Sequence, residues 1–557
     1  MEYQNLLTSR GEEISDRPWA VYPRPQMRRD SFINLNGLWD YGENNQKIRV
    51  PFCPESLLSG IHQHPKDGGV IRYARRFSMP QSHNGRVLLH IGAADQHLEC
   101  FINGQLVGKH SGGYEAMTFD ITAVLRQENE IVIQCTDNLA DKSMPYGKQT
   151  RKRGGMWYTP VSGIWQSVWL ECVPRRYIRE LNIENRGKTV KVSIEPAMEG
   201  TVTVHGLGSY PLVEGTATII PPEPHFWSPE DPYLYEFTVA AGEDRVESYF
   251  ALRTLEIRNV DGYPRLCLNG KPYFFHGVLD QGYWSDGLFT PAAPECYADD
   301  ILAMKKLGFN TLRKHIKVEP EEFYYQCDRL GMIVFQDMVN NGHYSFVRDT
   351  ALPTLGLQKL SDKGLHRNPM ARQRFLTGME QTVRQLRNHP CIVYWTIFNE
   401  GWGQFDSDKV YRHLKTLDDT RWIDSTSGWF RQKESDVDSR HVYFKPVLLK
   451  AGQKPLMLSE FGGYSCKVKD HSFNLLKTYG YGKYENLDAF ALAVEKLYRE
   501  QIVPAAEQGL CGAIYTQVSD VEDETNGLRT YDRKVEKLSS QQMLTIAKAL
   551  QEAVGNC

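Results

Sequence analysis

Two patterns of hydrophobic and polar residues divide the chain. Up to residue 253, short segments such as 86–104 and 129–135 alternate apolar and polar positions, and turn pairs such as Asn103-Gly104 separate them. A period of two is typical of strands with one buried face. Two sheets of this kind must stack to bury those faces, so we predict β-sandwiches in this part of the chain.

The alternating region divides into a large and a small sandwich. We predict a jelly roll at 1–174 and an immunoglobulin-like sandwich at 175–253. Three segments read as strands of the smaller unit: 188–196, 200–206 and 234–240. A stretch of about 80 residues lies at the lower end of the size range for an immunoglobulin-like fold.

From residue 254, short apolar runs alternate with long helical stretches, which favours βα units. Predicted helices at 295–307 and 320–330 end at Gly308 and Gly331, residues suited to a helix C-terminus. Eight segments read as strands: 273–278, 310–315, 332–337, 391–398, 422–426, 441–444, 456–460 and 512–516.

Eight βα units over roughly 300 residues indicate a TIM barrel, which we place at 254–557. The alternative is a doubly wound open sheet, for which we would expect a Gly-rich phosphate loop after the first strand. The sequence contains no such loop there. We therefore predict a multidomain protein with a jelly roll, an immunoglobulin-like sandwich and a C-terminal (β/α)8 barrel.

Composition excludes several classes of function. A net charge of −3 gives no reason to expect a nucleic acid or membrane partner. The first residues are polar, and nowhere do 18 apolar residues run consecutively, so we expect no membrane span. The 11 cysteines are scattered without a CxxC pair, which favours reduced, buried thiols. These features together predict a cytoplasmic protein.

Polar residues collect where a barrel carries its function, at the carboxyl ends of the strands. Nearly every predicted strand ends in one: Asp280, Arg313, His315, Asp337, Asn399, Glu400, Tyr443 and Glu460. A capped or solvated loop start would explain any single one of them, but the whole set favours a binding or catalytic site. Segment 479–484 (YGYGKY) suggests a mobile sugar platform, with an ordinary surface loop as the alternative.

Two of these residues, Glu400 and Glu460, suit the cleavage of a glycosidic bond. That reaction requires a proton for the departing oxygen and stabilisation of a cationic anomeric carbon. In the retaining route one carboxylate attacks while the other starts protonated, so their pKa values must differ. We predict that Glu400 is the general acid/base and that Glu460 is the nucleophile.

The sequence around each glutamate supports these roles. Three aromatic residues lie close to Glu400 in the sequence: Trp395, Phe398 and Trp402. Their apolar rings would favour a protonated Glu400. A cation such as Arg313 and a phenol such as Tyr443 would keep Glu460 ionised. For either glutamate the alternative role is that of a helix N-cap partner.

The segment order and several motifs resemble glycoside hydrolase family 2, which includes β-galactosidases, β-glucuronidases and β-mannosidases. The most specific motif is RNHPCIVYWTIFNEG, which ends at Gly401, and LSEFGG contains Glu460. WSPEDPYLY (227–235) resembles the middle sandwich of the family. Three further segments resemble its N-terminal jelly roll: INLNGLWDY (33–41), FINGQLVG (101–108) and GGYEAMTFDIT (112–122).

The resemblance implies roles for further residues. Asn399 would bind the sugar 2-hydroxyl, Tyr443 would hydrogen-bond the nucleophile, and Arg313 matches an arginine at the end of strand two. We expect a wider substrate-binding set: Asn399, Arg313, Tyr443, Asp280, His315, Asp337, Trp429 and Gln517. Some family β-galactosidases bind magnesium beside the acid through a Glu-x-His pair, and we find no such pair at the end of the helix that precedes Glu400. We therefore expect no metal and no cofactor.

We predict a retaining exo-β-glycosidase that acts on a small or oligomeric glycoside and can form a homo-oligomer. β-Galactosidase is the leading activity because it is the most populous in the family. β-Glucuronidase or β-galacturonidase is the alternative, although 516–534 lacks the Asn-x-Lys motif of the family glucuronidases. An alternative of another class is a non-catalytic carbohydrate-binding protein.

Overall fold

The computed structural model describes residues 3–44, 46–79, 85–357 and 361–555. The first part is a sandwich of two antiparallel sheets around a core that includes Trp39, Tyr73 and Ile133. In spatial order, the strands of the smaller sheet are Ile33–Asn34, Val168–Val173, Arg86–Ile91 and Met117–Asp120. Those of the larger sheet are Gln46–Val50, Gly37–Tyr41, Val70–Ser78, Glu128–Thr136, His97–Ile102 and Gln105–Ser111. Ala94–Asp95 pairs with Gly163–Ile164 beside them.

The second part is a smaller sandwich, whose core includes Val192, Val202 and Phe237. One sheet has the strands Glu180–Arg186, Thr189–Glu195 and Thr216–Ile219. The other has Gly208–Leu212, Gly200–Val204, Tyr235–Ala241 and Asp244–Phe250. A three-stranded sheet then leads into the barrel: Leu255–Val260, Tyr263–Leu268 and Lys271–Pro272.

The third part is a parallel barrel of eight strands. They are β1 Phe275–Asp280, β2 Thr311–Lys314, β3 Ile333–Asp337, β4 Ile392–Asn399, β5 Trp422–Ser427, β6 Asp438–Val442, β7 Leu456–Gly462 and β8 Leu510–Thr516. Their spatial order is β5-β4-β3-β2-β1-β8-β7-β6, so β5 and β6 face each other across the nearly closed seam. This confirms the barrel predicted from the alternation of apolar runs and helices.

Six of the eight strands are followed by a substantial helix. These helices are α1 Glu295–Lys306, α2 Glu321–Leu330, α3 Pro369–Leu386, α4 Ser407–Leu417, α5 Leu487–Leu497 and α6 Ser540–Ala553. A π-helical turn, Tyr498–Ile502, continues α5 into Val503–Glu507. The shorter helical pieces are Ser9–Glu12, Pro25–Met27, Thr122–Val124, Val347–Ala351, Leu352–Thr354 and Lys469–His471. Ser465–Cys466 and Lys483–Tyr484 form a small parallel pair of strands.

The prediction of eight complete βα units is wrong in two connections. Segments 428–437 and 443–455 both lie within the described range 361–555 and contain no helix. The first is too short for a helix with a loop at each end. The second contains Pro446, Gly452 and Pro455, which disfavour helix interiors.

The jelly roll is packed onto the mouth of the barrel. The indole of Trp165 lies edge-on to Phe289, with ring centroids 5.1 Å apart, and Tyr114 lies 6.0 Å from the same ring. Tyr158 lies 4.9 Å from Tyr283 of the barrel. These contacts place the end of the jelly roll beside the loops that follow the strands.

The ten cysteines within the described residues are free thiols, and nine of them are buried. In the same part of the chain, no helix is long and apolar enough to cross a membrane. The strands fall into groups that end near 173, 250 and 516. We accordingly keep 1–174, 175–253 and 254–557 as proposed domain boundaries.

Candidate active site

Glu400 and Glu460 lie side by side at the carboxyl ends of the barrel strands. Glu400 directly follows β4, and Glu460 lies in β7 close to its carboxyl end. A carboxylate oxygen of one lies within 4.8 Å of a carboxylate oxygen of the other. Carboxyl groups about 5 Å apart are typical of retaining glycosidases, whereas inverting enzymes hold them further apart. The fold thus brings the two predicted catalytic residues together.

The carboxylate of Glu460 is held by two donors. Its Oε1 accepts a hydrogen bond from Nη1 of Arg313 at 3.0 Å, and its Oε2 accepts one from the Tyr443 hydroxyl at 2.5 Å. Burial alone would raise the pKa of Glu460, but electrostatic interactions with His441 and Arg313 lower it to about 2. The carboxylate is therefore ionised near neutral pH, as a nucleophile must be.

Arg313 organises this side of the site. Besides Glu460, its guanidinium donates to the Ser459 carbonyl at 2.9 Å, to Asp337 at 3.0 Å and to the Asn399 side-chain oxygen at 2.8 Å. The side chain is only 1% exposed. These bonds engage all three guanidinium nitrogens, which suits a residue that positions Glu460 and Asn399. The expected role of Arg313 in substrate binding stays a prediction.

Glu400 has an unusual backbone conformation. Its φ of 51° lies in the left-handed region, and its N–H donates to the Ser427 carbonyl at 2.9 Å. Non-glycine residues with this conformation cost free energy and cluster at functional sites. The Glu400 side chain is 13% exposed, compared with 6% for Glu460. Glu400 is thus the more accessible of the two carboxylates.

The aromatic residues near Glu400 in the sequence contact other groups. Trp395 donates its indole N–H to Asp418 at 2.9 Å, and Phe398 stacks on Phe375 with centroids 4.9 Å apart. Residues that are neighbours in a strand point to opposite faces, so closeness in sequence is a poor guide to contact. The side chain that hydrogen-bonds Glu400 is instead His441.

His441 lies between the two glutamates, and sequence analysis did not select it. Its Nδ1 is 2.8 Å from Oε1 of Glu400, and its Nε2 is 3.6 Å from Oε1 of Glu460. Nε2 also lies 3.1 Å from the Ser427 hydroxyl. A signal was present, because His441 occurs two positions before Tyr443, the spacing of residues on one strand face.

Asp337 contacts Arg313, and His315 in turn contacts Asp337. Asp337 accepts from Arg313 through Oδ1, and its Oδ2 lies 2.8 Å from Nδ1 of His315. Burial opposes ionisation of Asp337, but the charge of Arg313 outweighs it and lowers the pKa of Asp337. Burial, reinforced by the charge of Lys148, lowers the pKa of His315 to about 4. His315 is therefore a neutral imidazole near pH 7.

Asp280 and Gln517, both expected to bind substrate, also have protein partners, and their substrate-binding role stays a prediction. Asp280 forms an ion pair with Lys314 at 2.5 Å and accepts the Gly282 N–H at 2.9 Å. Gln517 donates to Glu524 at 2.7 Å and to Asn526 at 2.8 Å. Lys314 belongs to another strand and Glu524 lies farther along the loop that follows β8, so the sequence around Asp280 and Gln517 does not reveal these contacts.

Trp429 and Asn399, two further residues of the expected set, remain beside the glutamates. The Trp429 ring lies edge-on to His441, with centroids 5.5 Å apart. Asn399 accepts from Arg313 through its side-chain oxygen. Within the described chain its amide nitrogen donates to no residue, which leaves that N–H group for a substrate.

Aromatic rings from three parts of the chain surround the pair. Trp402 stacks on Trp157 of the jelly roll, with centroids 5.3 Å apart, and Tyr344 lies edge-on to both. Tyr481 of the YGYGKY segment stacks on Tyr443 at 4.0 Å. Sugar rings present apolar C–H faces, so such a wall suits a carbohydrate. Trp157 was not a candidate because it comes from a different domain.

Glu400, His441 and Glu460 are the one group of three potential metal ligands found among the described residues. Arg313 and Tyr443 already donate hydrogen bonds to the carboxylate of Glu460. The two ring nitrogens of His441 already lie within hydrogen-bonding distance of Glu400 and Ser427. A cation there would also keep Glu400 from holding a proton. The expectation of no metal and no cofactor stays a prediction.

The fold and site define a class of protein: two β-sandwiches precede an eight-stranded parallel barrel that carries two facing carboxylates. Two family models match the chain: "Glycosyl hydrolases family 2, TIM barrel domain" over residues 259–534 and "Glycosyl hydrolases family 2" over residues 178–253. The chain belongs to glycoside hydrolase family 2.

Individual relatives have different names. The β-glucuronidase of Homo sapiens is 24% identical over 590 residues, which cover 87% of this chain and 85% of that protein. A β-galactosidase of Thermoanaerobacter pseudethanolicus is 23% identical over 420 residues, or 69% of this chain and 52% of that protein. This chain spans about half the length of several curated relatives, including a putative β-glucuronidase of Formosa agariphila at 50%.

Among solved structures, a β-galacturonidase from Eisenbergiella tayi bound to galacturonate superposes with a TM-score of 0.69. It is 17% identical in sequence, and the match covers 96% of this chain and 99% of that one. At this identity the likeness concerns the fold. It extends through the sandwiches as well as the barrel.

Proposed function

We propose that this protein is a retaining exo-β-glycosidase that releases a terminal, non-reducing sugar by double displacement. One observation carries the proposal: Glu400 and Glu460 face each other within 4.8 Å in different surroundings. Glu460 is buried and paired with Arg313, whereas Glu400 is more exposed and contacts His441. Such divergent environments separate an acid from a nucleophile.

In the first step, the ionised Glu460 attacks the anomeric carbon. The bond from that carbon to the aglycone oxygen breaks, and Glu400 gives its proton to the departing oxygen. The products are a covalent glycosyl ester on Glu460, a free alcohol and an ionised Glu400. Asn399 supports this step through a hydrogen bond from its side-chain N–H to the sugar 2-hydroxyl.

In the second step, a water molecule attacks the same carbon. Glu400, now a carboxylate, accepts the proton of that water, and the ester bond to Glu460 breaks. The sugar leaves with its original anomeric configuration. Glu460 returns to the ionised state and Glu400 to the protonated state, so the cycle closes without a cofactor.

His441 is placed to support both steps. The pair of glutamates carries one negative charge throughout the cycle, first on Glu460 and then on Glu400. The imidazole contacts both carboxylates, at 3.6 Å and 2.8 Å respectively. We assign it the role of a positioning residue that stabilises this charge on either glutamate.

We propose a β-linked hexose or hexuronic acid as the sugar released. A β-galactoside is the substrate that family membership alone favours. Relatives named β-galactosidase and β-glucuronidase match the chain at 23% and 24% identity. A cytoplasmic location and a homo-oligomeric state are further proposals, which cell fractionation and light scattering test.

An aryl-glycoside panel tests the activity. Wild type should release the aryl group from at least one β-galactoside, β-glucuronide or β-galacturonide, whereas Glu400→Ala and Glu460→Ala should be strongly impaired. If no sugar is released faster by wild type than by both variants, a non-catalytic carbohydrate-binding protein is the better description.

Azide rescue tests the roles of the two glutamates. Glu460→Gly with azide should give a glycosyl azide of inverted configuration, because azide replaces the nucleophile. Glu400→Ala should give the retained product, because azide then attacks the glycosyl ester. Exchanged outcomes would reverse the assignment of acid/base and nucleophile.

A further inference from the structure

A short segment of the jelly roll, residues 144–149, is fixed against the barrel loops. The N–H of Tyr146 donates to the Asn340 carbonyl at 3.1 Å, and its hydroxyl donates to the Gly342 carbonyl at 2.8 Å. Gly147 follows with a φ of +61°, and a Cβ there would lie 3.0 Å from the Ile316 carbonyl. This packing fixes the backbone of the next residue, Lys148, at the mouth of the barrel.

The ammonium of Lys148 lies between two aromatic rings. Its Nζ is 5.7 Å from the centroid of Tyr158 and 5.7 Å from that of Trp402, two residues after Glu400. Cations at this distance from an aromatic face are weakly attracted to it. Lys148 is half-buried, yet in the described chain its ammonium has no hydrogen bond and no ion pair.

Several other basic side chains around the barrel mouth are already neutralised. They pair with carboxylates as follows: Arg313 with Asp337 and Glu460, Lys314 with Asp280 and Glu319, Lys317 with Glu319, Arg153 with Glu522, Arg529 with Asp300, and Lys537 with Asp520. A half-buried cation without such a partner is costly unless a ligand supplies the anion.

Glu460 and Glu524 interact electrostatically with Lys148, but both have closer partners. Glu460 is held by Arg313 and Tyr443. Glu524 accepts hydrogen bonds from Tyr158 at 2.6 Å and from Gln517 at 2.7 Å. Burial raises the pKa of Glu524 despite the opposing charge of Lys148. Neither of these two acids therefore forms an ion pair with the ammonium of Lys148.

The loop after β8 does not supply an alternative cation. Its Arg529 donates to Asp300 at 2.6 Å and to the Arg533 carbonyl at 2.7 Å. Asn526, in the same loop, accepts from Gln517. A negatively charged sugar in this site would thus find its free cation on the jelly roll rather than on the late barrel loop.

We propose that Lys148 is a specificity-determining residue, whose ammonium binds the carboxylate of a hexuronic acid beside Glu400 and Glu460. This inference rests on the proposed glycosidase function and narrows its substrate class to acid sugars. A hydrogen bond between two charged groups in a partly buried site is stronger than one to a neutral hydroxyl. The site then prefers a uronide to the matching neutral sugar.

The test compares sugars that differ only at C6. Aryl β-glucuronide is paired with aryl β-glucoside, and aryl β-galacturonide with aryl β-galactoside, and kcat/KM is measured for each. In wild type at least one uronide should exceed its neutral partner. Lys148→Met should lower kcat/KM for that uronide roughly 10- to 100-fold and leave the neutral sugar within about threefold. Lys148→Arg should keep most of the preference.

Lys152→Met serves as the matched control, because this exposed lysine lies only four positions after Lys148 in the jelly roll. This variant should leave kcat/KM unchanged for both the uronide and the neutral sugar of each pair. Lys148→Gln and a thermal melting curve for each variant separate a loss of charge from a loss of folding. Inhibition by free glucuronate, compared with glucose, gives a binding readout that does not depend on turnover.

Three outcomes would overturn the proposal for Lys148. One is a wild-type enzyme that cleaves galactosides or glucosides faster than uronides. Another is an equal loss for both members of a pair in Lys148→Met and Lys148→Gln, and the third is no loss at all. If wild type cleaves no aryl glycoside of any kind, the proposed glycosidase function itself fails, which is a distinguishable result.

Discussion

Nδ1 of His441 lies 2.8 Å from Oε1 of Glu400, so the proposed acid/base is hydrogen-bonded to a residue of strand β6. The other nitrogen of the same ring is 3.6 Å from Glu460. One imidazole therefore contacts both carboxylates of the pair. Because the negative charge moves between them in the proposed mechanism, a change at His441 should affect both chemical steps.

We expect His441→Gln to reduce kcat roughly 10- to 100-fold, the loss typical of one hydrogen bond to a charged group. Both glycosylation and deglycosylation should slow, since each step ends with the charge on a different glutamate. Pre-steady-state kinetics with a dinitrophenyl glycoside separate the two rates. The pH profile should shift as well, which a purely structural role would not require.

Ser427→Ala is the matched control for His441, because the Ser427 hydroxyl lies 3.1 Å from the imidazole and forms its other hydrogen bond with Ser459 rather than with either glutamate side chain. It should reduce kcat much less than His441→Gln does. Slowing confined to one step in His441→Gln, with the other unchanged, would contradict the assigned role. Equal melting temperatures for the two variants would exclude misfolding as the cause.

Tyr443→Phe removes the 2.5 Å hydrogen bond to Glu460, the proposed nucleophile, while keeping the ring that stacks on Tyr481. Losing a donor to the carboxylate should raise the pKa of Glu460 from its value of about 2. The acidic limb of the kcat/KM profile should move to higher pH, and kcat should fall roughly 10- to 100-fold.

Tyr481→Phe is the control for this change. It keeps the stacked ring and leaves the hydrogen bond between Tyr443 and Glu460 in place. An acidic limb that stays unchanged in Tyr443→Phe would show that the phenol does not stabilise the ionised nucleophile. A shift of equal size in Tyr481→Phe would point to the ring stack instead.

Much of the fold could be predicted because local patterns determine it. Buried strands of the barrel read as continuous apolar runs, and seven of the predicted runs overlap the observed strands closely. Strand β6 differs, since it spans Asp438–Val442 rather than 441–444. Its residues are partly exposed, so the apolar run that would mark its start is missing.

The candidate site was harder to predict because its contacts are not local. The two glutamates could be selected from their motifs, but the partners of each come from other elements. Trp157 and Lys148 belong to the jelly roll, and their places beside Trp402 depend on how that domain packs on the barrel. No periodicity within one segment encodes such packing.

Asn399→Ala should lower kcat/KM only for substrates that carry a 2-hydroxyl on the sugar. The side-chain oxygen of Asn399 is held by Arg313, which directs the amide N–H groups away from that bond. Hydrogen bonds to the 2-hydroxyl strengthen in the transition state, so we expect kcat/KM to fall about 100-fold or more. The comparison is an aryl glycoside and its 2-deoxy analogue.

For the 2-deoxy analogue, wild type and Asn399→Ala should differ by less than about threefold, because the hydroxyl is already absent. This double-mutant cycle isolates the one contact. An equal loss on both substrates would instead indicate that Asn399 acts by supporting Arg313.

The buried His276 of β1 should make the stability of the protein depend on pH under mildly acidic conditions. Its Nδ1 lies 3.0 Å from the Gly308 carbonyl, its Nε2 is buried without a partner, and burial lowers the pKa of His276 to about 4. The unfolded chain has the ordinary value near 6.5, so it binds more protons than the folded protein between these limits. The unfolding free energy should therefore fall as the pH drops from 6.5 towards 4, by up to about 3 kcal/mol from this residue.

His276→Gln should flatten that dependence in urea titrations at about pH 7 and about pH 5, whereas the exposed His225→Gln should not. An unchanged slope in His276→Gln would show that the imidazole is protonated in the folded protein.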